Sequence, residues 1–154
     1  MSNVTLGELL GSWELISYVE TDVDTGEQTY PMGENAKGLI IYTNDGYMSA
    51  QLCVDGRELF ADPDPYGGTA AEYRRAGQTY LAYSGPFFFD EDTNTLQHEM
   101  FVSFFPNWRG QRQVRVASLS NGNLHLGPDH PMEFNGALKD AALIWKRATP
   151  NLDR

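Results

Sequence analysis

Residues 38–53 read Gly-Leu-Ile-Ile-Tyr-Thr-Asn-Asp-Gly-Tyr-Met-Ser-Ala-Gln-Leu-Cys. Two β-rich runs, Gly38 to Thr43 and Gly46 to Cys53, flank Asn44-Asp45-Gly46, residue types that accept the left-handed backbone of a tight turn at little cost. The stretch is a β-hairpin. It sets the expectation for the rest of the chain: short strands joined by tight turns.

Upstream, Ser12 to Glu20 alternates with period two. Trp13, Leu15, Ser17 and Val19 fall on one face, and Glu14, Ile16, Tyr18 and Glu20 on the other, which is a strand. Thr5 to Gly11 before it suits a short helical lid or plug. Asp22 to Gly26 is a turn cluster, and Glu27 to Tyr30 begins a short return strand. Downstream, Asp55 to Gly68 is loop, dense in Asp, Pro and Gly. Thr69-Ala70-Ala71-Glu72 is a capping box that opens one short helix through AAEYRRAG.

From Thr79 the strands resume: TYLAYSGPFFF, a turn at Asp90 to Asn94, then TLQHEMFVSFF, which Pro106 and Asn107 end. Gln111 to Leu119 is a further strand, Asn121-Gly122 turns it, and Asn123 to Leu126 answers. A loop from Gly127 to Gly136 leads into a last strand, Leu138 to Arg147. The sum is about eight to ten short antiparallel strands and one short helix, a meander that closes into a barrel or stacks as a sandwich. With 154 residues and no internal repeat or linker, one domain over 1–154 is expected.

Composition limits the function. The formal net charge of −10 repels phosphate backbones and anionic lipid, so neither nucleic acid nor membrane is an expected partner. The single cysteine, Cys53, forms no intrachain disulfide and suits a reducing compartment. The opening MSNVTLGELLGSW has neither a basic n-region nor an apolar h-region, which predicts a cytoplasmic protein without a signal peptide. His98, His125 and His130 have no metal-ligand spacing, so no metal is expected. Phosphate-binding, dinucleotide-binding and serine-elbow motifs are missing as well, and no cofactor is expected.

Several residues belong together. Gly11-Ser12-Trp13 is the G-x-W signature that opens the first strand of lipocalin-like and other calycin barrels. With YPMGENAKGLIIYTNDGYMSAQL (Tyr30 to Leu52), TYLAYSG and FPNWRGQRQVR, it makes the chain resemble the bacterial and fungal lipocalin-like domain family from Gly11 to Arg147. The resemblance implies an all-β, antiparallel, lipocalin-like up-and-down barrel. It also implies that Trp13 plugs one barrel end with Arg147 stacked across it, a contact of about 0.5–2 kcal/mol.

The candidate site follows from alternation. His98 shares a face with Leu96, Met100, Val102 and Phe104, which is either an inward face with one polar handle or a structural histidine bonded to backbone. As a functional group it would contact ligand or act as a base. Gln113 and Arg115 share a face with Ala117 and Leu119 and, if inward, would hold a carbonyl or enolate oxygen. Tyr83 accompanies Leu81 and Gly85. Tyr47, Ser49 and Gln51 alternate against Met48, Ala50 and Leu52, and Asn107-Trp108 sits at a turn where an aromatic would gate the barrel mouth.

Two uses fit such a barrel, and the resemblance implies the first. One is a cofactor-free isomerase, cyclase or dehydratase of secondary metabolism acting on a polyketide- or terpenoid-like substrate. In it His98 would shuttle the proton, Arg115 with Gln113 would stabilise negative charge, and Tyr83 would orient or donate. Tyr47, Ser49, Gln51, Met100, Asn107 and Trp108 complete the expected ligand contacts. The other use is a carrier that binds a small hydrophobic or aromatic metabolite unchanged. A third reading, a filled barrel serving as an interaction module, needs no cavity. Assembly is open between monomer and homodimer.

Overall fold

The computed structural model describes residues 1–154. Its elements in chain order are α1 (Leu6–Leu9), β1 (Gly11–Asp22), β2 (Gln28–Thr29), β3 (Lys37–Tyr42), β4 (Tyr47–Cys53), α2 (Ala70–Gln78) and β5 (Tyr80–Asp90). There follow β6 (Thr95–Glu99), β7 (Val102–Ser103), a 3-10 turn (Pro106–Trp108), β8 (Arg112–Ser120), β9 (Asn123–Pro128), β10 (Met132–Phe134) and β11 (Ala137–Arg147). Eight strands, β1-β3-β4-β5-β6-β8-β9-β11, form an antiparallel ring that β11 closes by pairing back onto β1 from Trp13↔Arg147 to Asp22↔Lys139. The short strands β2, β10 and β7 sit on β1, β11 and β5. The barrel alternative is the one adopted, not the sandwich.

The hairpin forms as its turn demands. Gly46 alone of the turn takes a positive φ (93°), and its N–H donates to the Thr43 carbonyl at 3.1 Å. The capping box at Thr69 is present in both directions, with the Thr69 side chain accepting from the Glu72 N–H and the Glu72 carboxylate accepting from the Thr69 N–H at 2.9 Å.

One barrel end is sealed around Trp13, which is 2% exposed. Its indole N–H donates to the Leu9 carbonyl of α1 at 2.9 Å, and the Arg147 guanidinium lies 3.7 Å above its ring centre. Arg147 also donates to the carbonyls of Leu10 and Glu8, tying the helix to the last strand. Gly11 explains the glycine of the G-x-W signature: its φ is +112°, and a Cβ there would stand 2.9 Å from the arginine Nη1. Val4, Leu9, Leu96 and Leu124 fill the adjoining core.

Three departures from the expected strands change which side chains face inward. Register shifts between Leu15 and Ser17, so β1 is bulged at Ile16. Beyond the bulge the expected faces exchange: Glu20 is 2% exposed and Tyr18 turns to the interior, whereas Trp13 and Leu15 are inward before it. The expected strand from Thr95 to Phe104 breaks after Glu99. Leu96, His98 and Met100 are fully buried, but Val102 and Phe104 are 59% and 49% exposed. The expected loop from Gly127 to Gly136 contains β10, which pairs with β11 through Met132↔Lys139.

Candidate functional site

Away from the Trp13 seal the interior is not filled. A cavity of about 60 Å³ lies there, and twelve of the sixteen residues around it are hydrophobic. Its walls come from β1 (Tyr18), β3 (Ile40), β4 (Leu52), β5 (Leu81, Tyr83), β8 (Gln113, Arg115) and β11 (Ala141, Leu143, Trp145). His98 of β6 and Leu126 of β9 border it too. Pro128 ends β9, Met132 and Phe134 come from β10, and Trp108 comes from the 3-10 turn.

His98 is fully buried, and its Nε2 lies 2.8 Å from the Tyr42 hydroxyl. That is the one hydrogen bond of the Tyr42 hydroxyl, and Tyr42 is itself 1% exposed. A phenol O–H is a strong donor and a poor acceptor, whereas an imidazole nitrogen accepts strongly. Tyr42 therefore donates, Nε2 accepts, and the ring proton sits on Nδ1. His98 Nδ1 has no partner. Burial, with the positive charge of Arg115 adding to it, pushes the His98 pKa down to about 3, so the ring is neutral at ordinary pH. The same burial raises the Tyr42 hydroxyl well above the ordinary tyrosine range.

A second unpartnered donor is the Trp145 indole N–H, buried on a residue 1% exposed. Arg115 donates from Nη2 to the Gln113 amide oxygen, Oε1, at 2.8 Å and from Nη1 to the Val114 carbonyl at 3.0 Å. Tyr83 is 7% exposed and stands between His98, 5.9 Å away by ring centres, and Trp108, edge-on at 6.1 Å. Behind the wall Tyr18 donates to Glu20 Oε1 at 2.8 Å, and Lys139 Nζ lies 3.6 Å from Glu20 Oε2. Desolvation, with Glu20 beside it, raises the Tyr18 hydroxyl far above its usual value, so it stays protonated.

Of the expected site residues, the structure brings His98, Arg115, Tyr83, Gln113 and Trp108 to one cavity. Tyr47, Ser49 and Gln51 are a correction: the hairpin buries Met48, Ala50 and Leu52 and leaves those three on the outer face. There Ser49 and Gln51 bond each other at 2.8 Å, and Ser49 bonds Ser84 of β5 at 2.7 Å. Asn107 is exposed on the 3-10 turn, where its carbonyl accepts from Gln111, and does not border the cavity. Met100 is fully buried in the core beyond the β6 break and also does not line it.

Tyr18, Tyr42 and Trp145 were not among the expected site residues. Tyr42 shares the inward face of Ile40, a signal the alternation of β3 carries. Tyr18 was hidden by the bulge.

A model of the lipocalin-like domain matches residues 10–148, nearly the whole of the chain. The chain belongs to the lipocalin-like domain family. A curated relative, the 4'-hydroxy-3'-methoxypropiophenone carrier protein ppsC of Aspergillus oryzae, is 32% identical over 106 residues, which is 65% of this chain and 96% of the relative. In this lipocalin-like barrel the unfilled interior is thus a candidate small-molecule pocket, and no helix is long and apolar enough to cross a membrane.

Proposed function

We propose that this lipocalin-like barrel is a carrier that binds a small aromatic ketone or related oxygenated aromatic in its interior and releases it unchanged. The observation that carries the reading is the pairing of an apolar, aromatic-walled cavity with two buried N–H donors, His98 Nδ1 and Trp145 Nε1, that have no partner in the protein. Such donors are costly to leave unmet and are satisfied by a ligand's carbonyl or phenol oxygen. The similarity to a relative named as a carrier of an aryl ketone supports the same class of cargo.

Catalysis by His98 as a proton shuttle fits less well. A general base works best with a pKa near the operating pH, whereas burial holds this ring near 3. A neutral His98 is a hydrogen-bond donor first. A cavity of about 60 Å³ is small beside the ~300–1,000 Å³ usual for ligand pockets. Binding therefore widens the mouth, where unbranched Met132 and the half-buried Trp108 yield most readily.

The test is a titration with 4'-hydroxy-3'-methoxypropiophenone, read by quenching of tryptophan emission from Trp108 and Trp145, followed by chromatography of the recovered compound. Saturable quenching with the ketone returned intact is expected. Steady conversion of the ketone to a new product would make the barrel an enzyme, and no saturation with this or other aryl ketones would remove the carrier reading.

A further inference from the structure

Arg115 is a part-buried cation at the cavity wall that makes no ion pair. Its hydrogen bonds go to a neutral amide and a backbone carbonyl. The titratable groups that face it are Tyr18 from β1, Tyr42 from β3, Tyr83 from β5 and His98 from β6. Burial keeps the Tyr18 and Tyr42 hydroxyls protonated and His98 uncharged. Behind Tyr18, the buried carboxylate of Glu20 is held by Tyr18 and Lys139. This half-buried guanidinium beside apolar walls keeps two hydrogen bonds but meets no counter-charge in the protein.

Resting on the carrier reading, we propose that the cavity takes its aromatic ligand with an ionised oxygen, a phenolate, and that Arg115 is the counter-ion the phenolate meets. The geometry favours a phenolate over a carboxylate. A phenolate spreads its charge into a ring that Tyr83, Trp108 and Trp145 can flank, whereas a compact carboxylate keeps its full hydration cost in so apolar a space. His98 Nδ1–H and Trp145 Nε1–H add neutral donors and no competing negative charge. The net charge of −10 opposes an anion's approach, but at ~0.1 M salt such fields fade beyond about 10 Å, and Arg115 acts at contact.

Two probes separate this charge selection from binding itself: 4'-hydroxy-3'-methoxypropiophenone and its methyl ether, 3',4'-dimethoxypropiophenone, which cannot ionise. The phenolate absorption band is followed against pH for the free and bound phenol, and both affinities are measured above the pH at which the phenol ionises. The expected result is a bound-state phenol pKa lowered by about one unit, equivalent to ~10-fold tighter binding of the phenolate than of the phenol. The phenol should also outbind the ether.

In Arg115→Gln the phenol-to-ether affinity ratio should fall toward one, and in Arg115→Lys, which keeps the charge, most of it should persist. If the wild-type protein binds phenol and ether alike, with the phenol pKa unmoved or raised, the charge selection is wrong while the carrier reading stands. If it binds neither, the carrier reading itself fails.

Discussion

His98 shows how one buried side chain sets both stability and recognition. In the folded protein it takes up a proton only near pH 3, whereas an unfolded histidine does so near 6.5. Between those values the unfolded chain holds more protons, so stability is full above pH 6.5 and falls as the pH drops below it, by up to about 1.4 kcal/mol per pH unit from this group. The lowered carboxylates Glu8, Asp22 and Glu72 add their own loss only nearer pH 4. Urea unfolding of the wild type should therefore weaken between pH 6.5 and 5, and His98→Gln should flatten that slope. An equal slope in both proteins would mean that His98 is not buried uncharged.

Arg147 is a second decisive residue. It caps the Trp13 ring and donates to two carbonyls of the α1 segment. Arg147→Ala removes a cation–π contact and two charge-assisted hydrogen bonds, and a loss of about 2–4 kcal/mol in chemical denaturation is expected. A change below ~0.5 kcal/mol, typical of surface substitutions, would show that the seal is not structural.

At the scale of elements, β5 holds the barrel wall together where the chain after β6 crosses it. Gly85 sits at that crossing: a Cβ there would lie 1.9 Å from the Glu99 carbonyl oxygen and 2.9 Å from the Phe101 nitrogen. Phe101 N–H donates to the Ser84 carbonyl at 2.9 Å, so the crossing strand cannot withdraw without losing that bond. Gly85→Ala should cost about 3 kcal/mol or more, read as a lowered urea midpoint. A mild effect would mean that the β5 crossing is loose.

Elements also decide how much of the site was readable in the residues. The hairpin at 38–53 and the Thr69 capping box declare themselves through turn and cap chemistry, which is local. His98, Gln113 and Arg115 face inward as their alternation allowed, because β6 and the first half of β8 are regular across the site. Tyr18 and Glu20 were misassigned because the bulge at Ile16 reverses every later face of β1, and a bulge there carries no glycine or other local mark. Val102 and Phe104 leave the His98 face because the crossing at Gly85 interrupts the strand, a constraint set by tertiary contact alone. Tyr47, Ser49 and Gln51 illustrate a different limit: alternation divides β4 into two sets but does not say which set lies inside, and there the apolar set does.

At the scale of the whole molecule, β11 closing onto β1 leaves one end sealed by α1, Trp13 and Arg147 and the space beyond it lined from β1, β5, β6, β8 and β11. Burial of polar donors is then the distinctive property of this interior, since a barrel meant only to be full would pack Leu, Val and Phe where His98, Arg115 and Trp145 stand. The most direct test is a crystal structure of the protein grown with 4'-hydroxy-3'-methoxypropiophenone. The predicted result is the ring between Tyr83 and Trp108 inside the barrel, with a ligand oxygen within hydrogen-bond distance of His98 Nδ1. A ligand lodged only on the outer surface, with the His98 and Arg115 cavity unchanged, would contradict it.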